Sequence, residues 1–232
     1  MNVYYKNEKA MLSGSPTIVG SSLLNVYDSA LELKTDFVEE QVTISGNYNG
    51  EIVAVDSLCL GLTNAFKYEL ITSEGTFVGR IDSRIVIVDF AETFFIDSFE
   101  LRLESIEPVY LGLLYIGKKV VLPRFEVGPE VGTSLNSESS RSFGGQAYGM
   151  RRKTLGNFAA NFPRITSHEK NVFEEYINFV INIESHIIDP YPEARDEFPP
   201  MYATLNINEV SLKKLNEPGF FYSGSLSWKE AR

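Results

Sequence analysis

Cysteine is nearly absent: Cys59 is the only one in 232 residues, so no internal disulfide framework can form. It lies within the apolar run Ile52 to Leu62, which marks it as a small buried hydrophobe rather than a reactive thiol. Histidine is almost as scarce. His168 and His186 flank a predicted helix and are both expected at the surface, roughly 27 Å apart along a continuous helix. With so few nitrogen and sulfur ligands, no metal site is expected. Positive charge is also short, 21 Lys+Arg against 31 Asp+Glu, for a net charge of −10. That deficit excludes a general nucleic-acid binder, which must release counterions from phosphate, and a protein drawn to anionic lipid. No apolar run approaches the about 20 residues of a membrane span, and the N-terminus lacks the apolar core of a signal peptide. A soluble chain, made and folded in a reducing cytoplasm, is the expectation.

Catalytic constellations are missing too. The run Gly112 to Lys119 has the glycine spacing of a phosphate loop, but Lys119 replaces the hydroxyl, and Val120 to Pro123 cannot open a helix. There is no Gly-x-Ser-x-Gly elbow for a nucleophile. Glu39–Glu40, Asp97–Glu100 and Asp189–Glu193 are carboxylate pairs of the kind a glycosidase uses, and are read as solvated loop charges. The expectation is a protein that is not an enzyme and takes no cofactor.

What the sequence does have is strand pattern. Phe99, Leu101 and Leu103 alternate with Glu100, Arg102 and Glu104, the period of a half-buried strand. Glu51 to Leu62, Arg84 to Phe90 and Val109 to Val121 read as further strands, with turn chemistry between them at 46–50, 73–75 and Glu107–Pro108. Residues 1–122 are therefore predicted to form an antiparallel jelly roll or β-sandwich. Residues 123–149 are rich in Gly and Ser with little to bury, and are predicted to be a linker or arm. Residues 150–232 are predicted to be a small α+β domain of strand–helix–strand–strand order. Its helix opens with a capping box, Thr166 and Glu169, carries Val172, Phe173, Tyr176, Ile177, Val180 and Ile183 on one face, and runs to Asp189–Pro190. The whole is mainly β.

Two sets of candidate contact residues emerge. Aromatics in loop-like segments (Tyr4, Tyr5, Phe125 and Phe143) and the basic residues Arg141, Arg151 and Arg152 are candidate anchors for a protein partner. Tyr27, Tyr48 and Asn64, the last with Phe66, are candidate glycan contacts at the loops of a sandwich.

Three stretches, in order, resemble phage and prophage tail proteins of the distal-tail or baseplate type. EIVAVDSLCLGLTNAFKYEL (residues 51–70) looks like the core hairpin of a discoidin-like, galactose-binding-type jelly roll. FIDSFELRLES and VYLGLLYIGKKV (residues 95–120) are similar to its closing strands. GGQAYGMRRKTLGNF (residues 144–158), with the helix and final strand after it, resembles the small α+β half of such proteins. The resemblance implies a non-enzymatic virion structural protein, made in a bacterial cytoplasm and placed in the tail, whose partners are copies of itself and neighbouring tail proteins. Discoidin-like domains often bind sugars, so a host surface glycan is the alternative partner.

Overall fold

The computed structural model describes the chain except for residues 7–9, 16–32, 36–40, 127–129, 135–136, 142–146, 152–154, 182–184, 207–209, 216–220 and 232. At residues 15, 130–134, 137–141, 147–151 and 155 it describes the backbone only. The chain divides into two units: Tyr4–Lys119, and Met1–Val3 joined with Val120–Arg232. The predicted boundary after residue 122 thus lies close to a division after Lys119, but the first three residues belong with the C-terminal half. Strand β1 (Asn2–Tyr4) starts that half's sheet, and the first unit then follows as an insertion.

Among its described residues the inserted unit has nine strands: β2 (Met11–Ser15), β3 (Leu33–Lys34), β4 (Gln41–Asn47), β5 (Val53–Thr63), β6 (Lys67–Thr72), β7 (Gly75–Arg80), β8 (Ile85–Ile96), β9 (Ser98–Glu104) and β10 (Tyr110–Gly117). They form two antiparallel sheets, β3-β10-β5-β8 and β2-β4-β9-β6-β7. Apart from the β6–β7 hairpin, each strand from β3 to β10 is followed by one in the opposite sheet, which is jelly-roll connectivity. The mainly β, jelly-roll reading of this half is what the structure has.

The core follows from the alternation. Phe99, Leu101 and Leu103 point between the sheets with Val42, Ile44, Leu58, Leu60, Leu70 and Leu114, while Glu100, Arg102 and Glu104 form the outer face. Burying each such aliphatic side chain contributes about 1.5–3 kcal/mol, the main term holding the sandwich. Cys59 is fully buried in β5, as expected of a small hydrophobe. The β4–β5 turn uses Asn49 and Gly50 at φ 58° and 82°, backbone that glycine and asparagine accept most readily.

The second unit continues with β11 (Val120–Val121), β12 (Glu130–Ser134), β13 (Ser137–Arg141), β14 (Ala147–Arg151), β15 (Leu155–Thr166), α1 (Ser167–Val180), β16 (His186–Asp189), β17 (Met201–Leu205), β18 (Ser211–Lys214) and β19 (Phe221–Glu230). Among the described residues its sheet has eight strands, in the order β11-β1-β16-β17-β19-β15-β12 with β18 also on β19, more than the small sheet expected. The capping box is present: the Thr166 hydroxyl accepts from the Glu169 amide, and the Glu169 carboxylate accepts from the Thr166 amide at 2.8 Å. The Thr166 hydroxyl also donates to the Glu169 carboxylate at 2.7 Å, and this bond, followed by the one from the Thr166 amide, holds the Glu169 carboxyl below its usual range. Phe173, Tyr176 and Val180 face the sheet.

Two expectations for this half are corrected. The helix stops at Val180, well before Asp189–Pro190, because Ile187 and Ile188 are taken into β16 and pair with Tyr202 and Met201 of β17. Residues 123–149 are not simply an arm: β12 pairs with β15, and β13 pairs with β14. Their low apolar content hid this, because backbone pairing needs no apolar side chain at all.

Candidate functional site

The registers bring three connections and one strand end to one end of the sandwich. Arg80, Lys67, Glu104 and Gln41 are successive cross-strand partners on one sheet. On the other, Lys34 opposes Tyr110, Leu111 opposes Thr63, and Gly61 opposes Ile85. The β5–β6 loop (64–66), the β7–β8 loop (81–84), the β9–β10 loop (105–109) and the end of β3 therefore lie together.

These loops are tied to each other by hydrogen bonds. Asn64 is the strut: its Nδ2 donates to the Pro108 carbonyl and its Oδ1 accepts from the Tyr110 amide, both at 3.0 Å. The Phe66 amide donates to the Glu104 carbonyl and the Phe66 carbonyl accepts from the Ile81 amide, again at 3.0 Å. The Leu62 amide, at a residue with φ 53°, donates to the Arg84 carbonyl. On the far side, Thr35 donates its amide to the Val109 carbonyl and accepts from the Val109 amide, each at 2.9 Å. A loop end pinned in this way is pre-organised, which lowers the entropy cost of binding.

What the loops hold out to solvent is apolar. Phe66 is 48% exposed, Ile106 81% and Tyr110 37%. Around them stand Lys34, Lys67, Arg80, Asp82, Arg84, Glu104 and Glu107, with Lys67 bridged to Glu104. Loops on a rigid scaffold that carry exposed aromatics beside polar groups can stack on a ring and hydrogen-bond its substituents.

The structure treats the sequence candidates unequally. Asn64 belongs to this end, but both sides of its amide group are used to hold the loops. Tyr48 is corrected: it is buried at the β4–β5 turn, at the other end of the strands, 6.2 Å between ring centroids from Phe99. Tyr27 lies outside the described residues. Ile106 and Tyr110 were missed, and the only sequence signal was an isoleucine inside the Glu107–Pro108 turn region.

The partner anchors are also redistributed. Phe125 is not an exposed anchor but sits half-buried among Phe158, Phe162 and Tyr191, at 5.2–6.2 Å between centroids. Tyr4 and Tyr5 are buried. Arg141 and Arg151 take opposite ends of the β13–β14 ribbon, opposed to Ala147 and Ser137. The four residue steps between them make about 13 Å at 3.3 Å per residue, so the backbone separates the two. Phe143 and Arg152 lie outside the described residues.

Two polar clusters elsewhere read as structural. Beside the β5 bulge, Ser57 donates to Asp56 at 2.7 Å, and Asp89 accepts from Tyr4 at 3.2 Å and from Lys119 at 3.0 Å. The lysine is held in an ion pair with Asp89 at 3.0 Å. In the second unit His186 is fully buried, which corrects the expected surface placement. Trp228 Nε1 donates to Tyr176 Oη at 2.7 Å, and Tyr176 Oη lies 2.6 Å from His186 Nε2. The indole can only donate, so the Tyr176 hydroxyl accepts from Trp228, and the direction of its bond with His186 Nε2 follows the imidazole tautomer. Burial pushes the His186 pKa down to about 3. Asp189 is buried and paired with Arg195 at 2.7 Å, and Glu100 is paired with Arg102 at 2.6 Å, so neither is a solvated loop carboxylate. Among the described residues no three of His, Cys, Asp and Glu gather as a metal site, and no helix is long and apolar enough to cross a membrane.

No protein-family model and no curated protein matches the chain. Among solved structures, a point mutant of chitosan-binding module 1 from a chitosanase/glucanase of Paenibacillus sp. IK-5 aligns at TM-score 0.41 and 12% identity, over 50% of this chain and 98% of the module. The unmutated module aligns at TM-score 0.38 and 13% identity, over 47% and 95%.

Proposed function

We propose that the chain is a non-enzymatic binding protein whose sandwich grips a glycan at the loop end holding Phe66, Ile106 and Tyr110. The observation that carries this reading is the combination of exposed aromatics with loops that Asn64, Phe66 and Thr35 tie down. A protein spending that many hydrogen bonds on positioning apolar tips in water uses the tips. Sugar rings offer apolar C–H faces for stacking and hydroxyls for the flanking charged groups. The test is a glycan array probed with the full chain. Signal on at least one glycan class, lost in the Phe66→Ala/Tyr110→Ala double variant, is the expected result; silence across the array rejects the reading.

A second reading, assembly of a phage or prophage tail through residues 123–149, is favoured by one observation. Among the described strands, β13 and β14 pair only with each other. A lone two-stranded ribbon is marginal in water and gains from a surface supplied by a neighbour. In this reading the protein resides in the virion, with copies of itself and other tail proteins as partners. Deleting residues 137–151 would then abolish assembly and leave both units folded; assembly that survives the deletion removes the ribbon's role.

A further inference from the structure

We infer that the edge strand β7 is a docking surface for a second copy of this chain, the two β7 strands pairing antiparallel about a twofold axis at Phe77. Among the described residues β7 pairs with β6 alone, so its other side is an open sheet edge. The β6–β7 hairpin closes with Thr72 opposite Gly75 across a two-residue turn, and at its far end the Ile81 amide donates to the Phe66 carbonyl at 3.0 Å. The odd-numbered residues of β7 thus direct their backbone groups to β6, and those of Thr76, Val78 and Arg80 point the other way, into the open edge. Such an edge is a template for another strand, and from Gly75 to Gly79 it carries none of the charges or prolines that blunt natural edges. The edge of the opposite sheet, β8, is blunted: a bulge interrupts its ladder where Val55 and Ser57 meet Phe94 and Asp89.

The strand is complementary to itself when reversed. Edge-directed residues can oppose only edge-directed residues, so the register moves in steps of two. With Phe77 on the axis, Val78 stands opposite Thr76 of the second copy, and Arg80 opposite its Glu74, at both ends of the seam. A shift of one step sets Arg80 against Thr76 or Glu74 against Val78, and both charge pairs are lost. Glu74, Thr76, Val78 and Arg80 are all exposed, Val78 at 56%, and neither Glu74 nor Arg80 makes an ion pair among the described residues. Within one chain Arg80 is opposite Lys67, a repelling pair; Glu74 of the second copy puts a carboxylate on its other side. The Phe77 ring, 4.5 Å from Phe90 and 5.4 Å from Phe94 between centroids, meets its counterpart in a pair without backbone hydrogen bonds, where side chains come closest. The same patch serves both copies, so the contact closes as a dimer rather than growing into a fibre. The twofold axis, perpendicular to the sheet, turns the two loop ends in opposite directions, and the dimer does not depend on what those ends bind.

Light scattering of the full chain at increasing concentration, with charge-reversed variants alongside, tests this. The wild type should pass from 26.1 kDa towards twice that mass. Arg80→Glu and Glu74→Arg each set like charges at both ends of the seam, and each should weaken the dimer about ten-fold or more. Mixing these two variants in equal amounts, or placing both substitutions in one chain, puts opposite charges back at both ends and should restore the wild-type dissociation constant. Both substituted side chains are exposed, so each variant should keep the wild-type melting temperature. A wild type that stays at 26.1 kDa at the highest concentration overturns the inference. So does a dimer that withstands both single reversals, or one that neither the mixture nor the double variant restores. An assembly indifferent to the reversals but lost on deleting residues 137–151 overturns it too, and leaves the ribbon reading standing.

Discussion

His186 sits where a charge cannot be solvated. Its unfolded form protonates near pH 6.5 and its folded form near 3. Between those values the unfolded chain binds more protons, so stability falls as pH drops below 6.5, by about 1.4 kcal/mol per unit. Urea midpoints at pH 7 and pH 4.5 measure this. The wild type should lose about 2–3 kcal/mol across that interval beyond what a His186→Leu variant loses. Equal losses in the two proteins would mean that the imidazole is solvated. The same residue shows a limit of reading sequence. A histidine just beyond a predicted helix looks exposed, and nothing local reveals that Trp228, 42 positions further on, and Tyr176 will enclose it.

At the scale of elements, what was legible was local. The capping box of α1 is written in residues three apart, and the alternation of β9 in seven consecutive residues. Thr166→Ala should therefore cost about 1 kcal/mol, read as a lowered melting temperature with reduced helical ellipticity; an unchanged melt would mean the cap is dispensable. The end of the helix was misread because Ile187 and Ile188 satisfy a helical face and a strand equally well, and pairing with β17 decides. The candidate site failed for the same reason. Asn64 was found as a polar loop residue, but its task is to tie its own loop to Pro108 and Tyr110, 44 and 46 residues further on. Tyr110 reads as an ordinary strand start until its partners are known.

The molecule as a whole has one domain inserted into another. β1 and β11 flank the insertion and pair with each other, Asn2 opposite Val121 and Val3 opposite Val120. Chain ends that enter and leave side by side are what domain insertion requires. Replacing residues 4–119 by a two-residue Asn-Gly turn should leave a protein with a single cooperative melt and a retained helical signal. A molten, uncooperative product would show that the second unit has no core of its own. The jelly roll was legible because strands and turns recur at short spacing, whereas the insertion was not, since three residues at the N-terminus carry no pattern.

The central claim concerns Phe66, and a control lies on the same sandwich. Phe95 is 62% exposed in β8, ten residues from the strand's loop-end residue Ile85, or about 33 Å away. The measurement is the dissociation constant for the strongest array ligand with wild type, Phe66→Ala and Phe95→Ala. A loss of about ten-fold in Phe66→Ala, near 1.4 kcal/mol, with no change in Phe95→Ala, is what the loop-end site predicts. Undiminished affinity in Phe66→Ala, or an equal loss in both, would contradict it.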